Sequence, residues 1–319
     1  MKNFRKEFHT LRYVIEGSKR ILLVAHKRPD ADTVGANAAM HEYLVSLGKE
    51  VDIACYDAFP ESLRDLGMKE FVHPEKLALT KYDAVFALDS VDRGFHLFAP
   101  SLTKNQVTVL LDHHPDIALS GDIVIIDPSY SSTSELVYLY FSQEGIQISK
   151  KMASYLLAGI LFDTGGFQHS NVSPRVMEIA SALMKHGAPL AKISQIIFTN
   201  KDIAALRLWG RALEKARLHQ KNGMLVTAIT QEDIRLCNAS PEDIYQVTSI
   251  LSAVPDAKFA LVLSERDETT VRASLRSMEH HGVDVSAIAH TFGGGGHRLA
   301  SGFEIPGKIV ETLDGFAVV

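Results

Sequence analysis

The sequence of 319 residues has a formal net charge of −5, which argues against long duplex DNA as the main partner. It contains no uninterrupted apolar run near the ~18 residues that a membrane-spanning helix needs, so we expect no membrane partner. Its two cysteines, Cys55 and Cys237, form neither a CxxC metal site nor a disulfide framework, which is typical of a cytoplasmic protein.

The first half of the sequence alternates apolar runs with helical patterns in the rhythm of an α/β domain. Predicted strands cover residues 21–25, 51–55, 84–88, 107–111 and 123–126. Predicted helices cover residues 3–18, 33–47, 131–143, 150–162 and 173–187. Because buried parallel strands are continuous apolar runs, residues 1–190 are predicted to form an α/β domain with a parallel sheet.

This rhythm stops after residue 190, and chains beyond about 250–300 residues tend to split into domains. An apolar face over residues 201–218 predicts a connecting helix within a linker at 191–218. Strands are then predicted at 224–229, 258–264, 269–277 and 299–305, and helices at 241–253 and 283–290. These elements predict a second, smaller α/β domain over residues 219–319.

Polar side chains follow four apolar segments of the first half, at the point where each segment ends. They are His26, Asp30 and Asp32, then Asp89, then Asp112, His113 and His114, and finally Asp163. Active sites of open α/β sheets gather at the carboxyl ends of the strands, so we expect these side chains to meet at one edge. Carboxylates mixed with imidazoles suit Mn²⁺, Mg²⁺ or another first-row divalent ion. The sequence therefore predicts a metal site.

Several residues of this region have more than one interpretation. Asp30 and Asp32 would point to the same side of an extended loop, which suits metal binding. Asp32 could instead cap a helix that begins at Thr33, and the segment 131–133 could either contact substrate or cap the next helix. Asp89 is the candidate bridging carboxylate, because two divalent ions ~3.5–4 Å apart repel each other unless an anion lies between them.

The second domain carries a run of four glycines, whose backbone entropy makes it costly to order. The run is Gly293, Gly294, Gly295 and Gly296, and His297 and Arg298 follow directly. Such a run is tolerated where backbone N–H groups approach an anion closely, so it predicts a phosphate-binding nest, with a flexible linker as the alternative. His297 and Arg276 would supply the cations that hold the phosphate.

Together these residues resemble the DHH phosphoesterase superfamily in its DHH–DHHA1 branch, and within it the nanoRNase and pAp phosphatase type. The resemblance covers nearly the whole chain, from His26 through the Asp112-His113-His114 triplet to the Gly293–His297 run. It implies a parallel-sheet DHH domain, a smaller DHHA1 domain and an active site in the cleft between them. It also implies two metal ions, usually Mn²⁺, with Mg²⁺ or Co²⁺ as other candidates.

The resemblance further implies a role for each residue. His26, Asp30 and Asp89 would bind one ion, and Asp32, Asp89, His113 and Asp163 would bind the other. His114 would face the phosphate, and Asp112 would orient a histidine. Arg276 and His297 would neutralise charge and, with the glycine run and Arg298, bind the substrate while an activated water attacks phosphorus in line.

The substrate is less closely specified than the reaction. Short oligoribonucleotides and pAp are the substrates that this family type implies, and a linear dinucleotide such as pApA is the main alternative. Gly166 stands where many nanoRNases have an arginine, and the Ser90-Val91-Asp92 loop is not the commonest form, so one substrate contact is expected to differ. A RecJ-like exonuclease, a family II pyrophosphatase or a non-catalytic nucleotide-binding module fits less well. The sequence leaves open whether the chain forms a homodimer.

Overall fold

In the computed structural model, the described residues are 2–91, 94–115, 119–199, 203–244, 247–312 and 315–319. The chain divides into two compact units, residues 1–200 and residues 201–319. The segment predicted as a linker, 191–218, is shared between them, because Ile193 belongs to a core of the first unit and Leu208 to a core of the second. Asp92, in the loop that departs from the commonest family form, lies outside the described residues.

The first unit contains a five-stranded parallel sheet, as predicted. Its strands are β1 (Arg20–Val24), β2 (Glu50–Ala54), β3 (Ala84–Leu88), β4 (Val107–Asp112) and β5 (Ile123–Ile126). Their order is β2-β1-β3-β4-β5, and every neighbouring pair is parallel. The order reverses direction at β1, so the carboxyl ends of β1 and β3 flank the position where such sheets bind ligands.

Six α-helices accompany this sheet in the described part of the first unit. They are α1 (Arg5–Gly17), α2 (Ala31–Ser46), α3 (Thr133–Gln143), α4 (Lys150–Asp163), α5 (Pro174–Lys185) and α6 (Leu190–Ser194). A π-helical turn, Gln195–Thr199, follows α6. Short 3-10 turns lie at Glu61–Leu66, Pro74–Lys76, Leu79–Lys81, Phe95–Leu97 and Ala99–Ser101.

Helix α2 is buried along most of its length because its sequence is rich in small residues. A Cβ atom added to Gly35 would lie 2.4 Å from the Tyr155 carbonyl oxygen, so this glycine allows the backbones of α2 and α4 to touch. The small residues of α2 therefore serve contact with another helix as well as with the sheet. This contact brings the beginning of α2 and the end of α4 into one region.

The second unit contains a six-stranded mixed sheet. Its strands are β6 (Arg217–His219), β7 (Met224–Ile229), β8 (Phe259–Glu265), β9 (Thr270–Ser277), β10 (Gly295–His297) and β11 (Ala300–Pro306). Their order is β10-β11-β9-β8-β7-β6, with β7 and β8 parallel and the other pairs antiparallel. The strands β12 (Ile309–Thr312) and β13 (Gly315–Val318) pair separately. The helices are α7 (Ile203–Glu214), α8 (Gln231–Cys237), α9 (Val247–Ser252) and α10 (Val285–Thr291).

The second unit differs from prediction where tertiary pairing overrides local pattern. The helix expected to reach residue 218 ends at Glu214, because the following residues pair with β7 as β6. The helix expected at 241–253 is a 3-10 turn, Pro241–Ile244, and then α9. Helix α8 is too short for a periodic signal, and a capping box between Thr230 and Asp233 fixes its start. Among the described residues, no helix is long and apolar enough to span a membrane.

Candidate metal centre

The side chains predicted to bind metal come together at one edge of the parallel sheet. β1 leads to His26, β3 to Asp89, and β4 ends at Asp112 with His113 directly after it. Because β1, β3 and β4 are neighbours, their carboxyl ends are adjacent. The remaining members are Asp163, the last residue of α4, with Asp30 and Asp32 at the start of α2.

His26, Asp30 and Asp89 form the first group of potential ligand atoms, which lie within 4.8 Å of one another. His26 Nε2 is 3.7 Å from Asp30 Oδ2 and 3.6 Å from Asp89 Oδ2. His26 Nδ1 lies 2.7 Å from the carbonyl oxygen of Lys27. Since a carbonyl oxygen can only accept, Nδ1 carries a proton, and Nε2 is the ring nitrogen that would bind a metal ion.

Asp30 contributes one carboxylate oxygen to this group and the other to the cap of α2. Its Oδ1 accepts hydrogen bonds of 3.1 Å from the backbone N–H groups of Asp32 and Thr33. The structure therefore assigns the cap to Asp30 and begins the helix at Ala31, so the alternative in which Asp32 caps a helix from Thr33 is wrong.

Asp32, Asp89 and His113 form the second group, again with ligand atoms within 4.8 Å of one another. Asp32 is fully buried, and its oxygens accept hydrogen bonds of 2.7 and 2.9 Å from the backbone N–H groups of Thr133 and Ser134. These donors are at the N-terminus of α3, where the helix dipole stabilises a carboxylate. Asp32 is thus held in place by a helix more than a hundred residues further along the chain.

The charges in the second group favour a cation at its centre. Burial, with repulsion from Asp163 and Asp89, raises the pKa of Asp32 well above its usual range. Burial also raises the pKa of Asp163 to about 6, against the opposing effect of its 3.0 Å contact with His113 Nε2. Burial lowers the pKa of His113, but Asp163, Asp89 and Asp32 raise it to about 10. Without a metal ion, the protonated His113 ring provides the positive charge that stabilises these carboxylates. A divalent ion would provide that charge instead.

Asp89 belongs to both groups. Its Oδ2 lies 3.6 Å from His26 Nε2, whereas its Oδ1 lies 3.7 Å from His113 Nε2. Burial is the largest single influence and raises the pKa of Asp89, but the hydrogen bond with His26 and the charge of His114 act together to hold the pKa below its ordinary value. Two oxygens that face two ligand groups give the geometry of a bridging carboxylate. The donor set, carboxylate oxygens with one imidazole in each group, fits a pair of divalent ions.

His114 is oriented by Asp112. The His114 ring donates from Nδ1 to Asp112 Oδ1 at 2.8 Å, and the His114 backbone N–H donates to the same oxygen at 3.0 Å. The second oxygen of Asp112 accepts a 3.1 Å hydrogen bond from the N–H of Val91. This arrangement leaves His114 Nε2 as the ring nitrogen that is not bonded to Asp112, and the roles that the resemblance implies for both residues stay predictions.

Two threonines contact the centre although the sequence pattern does not identify either of them as a partner of a predicted metal ligand. Thr33 Oγ1 donates to Asp89 Oδ2 at 2.5 Å, and Thr133 Oγ1 donates to Asp89 Oδ1 at 3.1 Å. Of the residues that could touch substrate or cap the helix, Ser132 is the N-cap of α3, and Thr133 contacts Asp89, a predicted metal ligand. The only sequence signal is that both hydroxyls lie at predicted helix starts.

The N-terminus of α3 is itself fixed by a buried ion pair. Glu135 is fully buried, accepts a 2.6 Å hydrogen bond from the Ser131 N–H through Oε2, and accepts from Arg175 Nε through Oε1 at 2.5 Å. We expect Arg175→Met to lower the free energy of unfolding by about 3 kcal/mol, because it leaves a buried carboxylate without this partner. Arg64→Met, at an exposed pair with Glu61, should change it by less than about 0.5 kcal/mol in urea denaturation. Equal effects of the two substitutions would contradict this account.

Two of the predicted substrate-binding residues of the second unit, Arg276 and His297, share one face of its sheet. The antiparallel register places His297 opposite Ala300 and Ala300 opposite Arg276, so the three side chains point to the same face, with the small Ala300 in the middle. Arg298 is further out, where its Nη1 lies 2.7 Å from Glu279 Oε1 in an exposed ion pair.

Part of the glycine run that predicts a phosphate nest has its N–H groups bonded within the fold. The N–H groups of Gly293 and Gly294 donate to the carbonyl oxygens of His290 and Ala289 at 3.1 and 3.0 Å and close the C-terminus of α10. Gly295 and Gly296 then pair with β11 as part of β10. Close packing explains Gly294, since a Cβ atom there would lie 2.2 Å from the Gly302 carbonyl oxygen.

Comparisons with known proteins agree with this fold. Residues 20–160 match the DHH family, N-terminal domain, and residues 221–317 match the DHHA1 domain. The bifunctional oligoribonuclease and PAP phosphatase NrnA of Thermus thermophilus is 29% identical over 287 residues, which cover 90% of this chain and 84% of that protein.

Two further proteins extend the comparison. The cyclic-di-AMP phosphodiesterase GdpP of Geobacillus thermodenitrificans is 26% identical over 91% of this chain, which corresponds to 45% of that longer protein. The crystal structure of an exopolyphosphatase-related protein from Bacteroides fragilis is similar with a TM-score of 0.86 and 25% identity, and the match covers 94% of this chain and 91% of that one. The chain therefore belongs to the DHH phosphoesterases, a class of metal-dependent hydrolases, in the form that combines a DHH domain with a DHHA1 domain.

Metal binding is expected to stabilise the fold, because it relieves repulsion among buried carboxylates. Mn²⁺ at about 100 times its Kd should raise the free energy of unfolding by about 2.7 kcal/mol for each ion bound, relative to protein in EDTA. Thermal and urea denaturation of wild-type protein, with and without the ion, measure this difference. Identical curves in both conditions would contradict a metal centre built from these residues.

Proposed function

We propose that the protein is a Mn²⁺-dependent phosphodiesterase that hydrolyses short oligoribonucleotides to mononucleotides and also removes the 3′-phosphate of pAp. The observation that carries this proposal is the position of Asp89, whose two oxygens face His26 and His113 in separate ligand groups. The similarity to a bifunctional oligoribonuclease and PAP phosphatase over most of both chains supports the choice of substrate.

The metal assignment follows from the two ligand groups. His26 and Asp30 would hold one ion, Asp32, His113 and Asp163 the other, and Asp89 both. When bound, two such ions supply positive charge that lowers the pKa of water and stabilises charge on the phosphoryl oxygens. Mn²⁺ is preferred for a mixed carboxylate and imidazole set, and Mg²⁺ and Co²⁺ are the ions to compare with it.

The chain's own residues would orient the phosphate. Asp112 fixes the His114 ring so that Nε2 can contact a phosphoryl oxygen. We propose that Arg276 and His297 also bind substrate phosphate, because the register places both side chains on one sheet face. Arg has a planar fork that matches two phosphate oxygens. Gly295 and Gly296 would let the substrate approach the β10 backbone, whereas the Arg298 contact with Glu279 makes it the weaker candidate.

Other parts of the proposal concern partners and location. The negative net charge supports short substrates over long duplex DNA. Cys55 and Cys237 are both buried thiols, which supports a reducing compartment such as the cytoplasm. Whether the chain forms a homodimer stays open and is to be tested by the oligomeric state in solution.

A linear dinucleotide such as pApA is the second candidate substrate, favoured by the similarity to a cyclic-di-AMP phosphodiesterase. The test is product analysis with Mn²⁺ on pAp, pApA, pGpG and 5′-labelled RNAs from the dinucleotide upward, beside an Asp89→Ala control. Mononucleotide release from several short RNAs, absent in the control, is the expected result, and the labelled products give the polarity. Hydrolysis of pApA alone would favour the second candidate, and hydrolysis of pAp alone would indicate a small-molecule phosphatase.

A further inference from the structure

Thr33 and Thr133 donate to opposite oxygens of the Asp89 carboxylate. Thr33 Oγ1 is 2.5 Å from Oδ2, the oxygen that faces His26, and Thr133 Oγ1 is 3.1 Å from Oδ1, the oxygen that faces His113. Both threonines are fully buried. Each of the two Asp89 oxygens, one for each potential ion, therefore accepts a hydrogen bond from one threonine hydroxyl.

The positions of these threonines in their helices make the hydroxyls available for this contact. Thr33 lies in the first turn of α2, and Thr133 is the first residue of α3. A threonine further along a helix often donates to the carbonyl four residues earlier, but for Thr33 and Thr133 the residue at that position lies before the helix. The two hydroxyls can therefore donate to a group outside their own helices.

Both threonines are fixed relative to the carboxylate they contact. Asn37 Nδ2 donates to the carbonyl oxygens of Thr33 at 2.8 Å and Leu88 at 3.2 Å, which ties the first turn of α2 to the residue before Asp89. The Thr133 N–H donates to Asp32 Oδ2 at 2.7 Å. The two hydroxyls thus contact the Asp89 carboxylate from two helix starts that are themselves fixed by hydrogen bonds.

We propose that Thr33 and Thr133 are positioning residues that hold the Asp89 carboxylate in its bridging orientation and so set the affinity of the centre for two divalent ions. This inference rests on the two-ion centre of the proposed function. A hydroxyl proton occupies one lone pair of each oxygen and leaves another for an ion. Rotation of the carboxylate about Cβ–Cγ would break both hydrogen bonds, so the bonds oppose the loss of the bridge.

The inference predicts a separate effect for each threonine. Thr33→Val, which keeps the shape and removes the hydroxyl, should weaken binding at the His26 group, and Thr133→Val should weaken binding at the His113 group. Loss of a residue that supports a metal ligand typically lowers affinity by about 10- to 100-fold. Isothermal titration with Mn²⁺ should show one weakened site of two in each variant. Thr33→Ser and Thr133→Ser, which keep the hydroxyl, should restore binding to near the wild-type value.

Electron paramagnetic resonance of the Mn²⁺-loaded protein gives a readout that does not depend on activity. A bridged pair of Mn²⁺ ions gives a spin-coupled spectrum, whereas separate ions give independent signals. We expect coupling in the wild type and its loss in the double valine variant. Thr227→Val is the matched control, because Thr227 is a buried threonine of the other unit whose hydroxyl donates to the Ala212 carbonyl oxygen.

The outcomes separate this inference from the proposed function. A coupled Mn²⁺ pair of unchanged affinity in both valine variants would overturn the role of the threonines and leave the proposed function standing. A wild-type protein that binds no pair of ions would overturn both. If a valine variant does not fold, as judged by circular dichroism, comparison of the alanine and serine variants at the same position isolates the hydroxyl and decides the question in the same way.

Discussion

Asp89→Asn is expected to abolish metal-dependent hydrolysis, because Asp89 is, among the residues that the structure describes, the carboxylate shared by the His26 and His113 ligand groups. The amide nitrogen cannot coordinate as an oxygen does, and the neutral side chain no longer reduces repulsion between two cations. The loss in kcat/KM should exceed the 10- to 100-fold that removal of a supporting residue costs. Steady-state hydrolysis of a short RNA with Mn²⁺ measures it.

The matched control for this substitution is Asp83→Asn, next to the opposite end of the same strand. Asp83 Oδ2 accepts hydrogen bonds of 2.8 Å from the N–H groups of Lys19 and Arg20, so its loss affects the sheet but no metal ligand. We expect kcat/KM of this variant to stay within about twofold of wild type, with a small loss of stability of about 1 kcal/mol. Substantial activity in Asp89→Asn would rule out a bridging role for this residue.

Gly159→Ala is expected to weaken metal binding, although glycine has no side chain that could bind a metal ion. A Cβ atom at Gly159 would lie 2.1 Å from Ser134 Oγ and 2.5 Å from Asp32 Oδ1. Either α4 or the Asp32 carboxylate must shift, so we expect loss of Mn²⁺ affinity together with a stability loss of about 1–3 kcal/mol from overpacking. Mn²⁺ titration and urea denaturation of the variant measure the two effects.

Gly210→Ala is the control, since Gly210 also lies inside a helix, α7. No heavy atom among the described residues would come within 4 Å of its added Cβ, apart from its chain neighbours and its own helix backbone. The alanine should stabilise the protein by about 0.5–1 kcal/mol through its lower backbone entropy in the unfolded chain. If Gly159→Ala behaved like Gly210→Ala, the close contact at Asp32 would not exist.

The sequence predicts the first unit well because its signals are strong and its topology is constrained. β1, β3 and β4 are continuous apolar runs, and the carboxyl ends of neighbouring parallel strands must lie at one edge. His26, Asp89 and His113 could therefore be placed together before their distances were known. The DHH and DHHA1 resemblance is confirmed by matches to both domains.

The features that the sequence did not predict depend on contacts between distant segments, or on which of two nearby residues of the same type takes a role. The hydrogen bond from Thr133 to Asp89 joins residues 44 positions apart, and no local pattern marks it. Asp30 and Asp32 are both good helix caps, and the backbone geometry of the loop decides between them. The glycine run suggested a phosphate nest, but a helix C-terminus and an edge strand make the same conformational demand for glycine, and the structure uses Gly293 and Gly294 for the first.

The most direct test of the central claim is anomalous diffraction at the manganese edge from crystals of the Mn²⁺-loaded protein. Two peaks about 3.5–4 Å apart, one near His26 and Asp30 and the other near His113 and Asp163, with the Asp89 carboxylate between them, are the predicted result. A single peak, or two peaks that do not share Asp89, would contradict the account of this protein as a two-metal phosphoesterase.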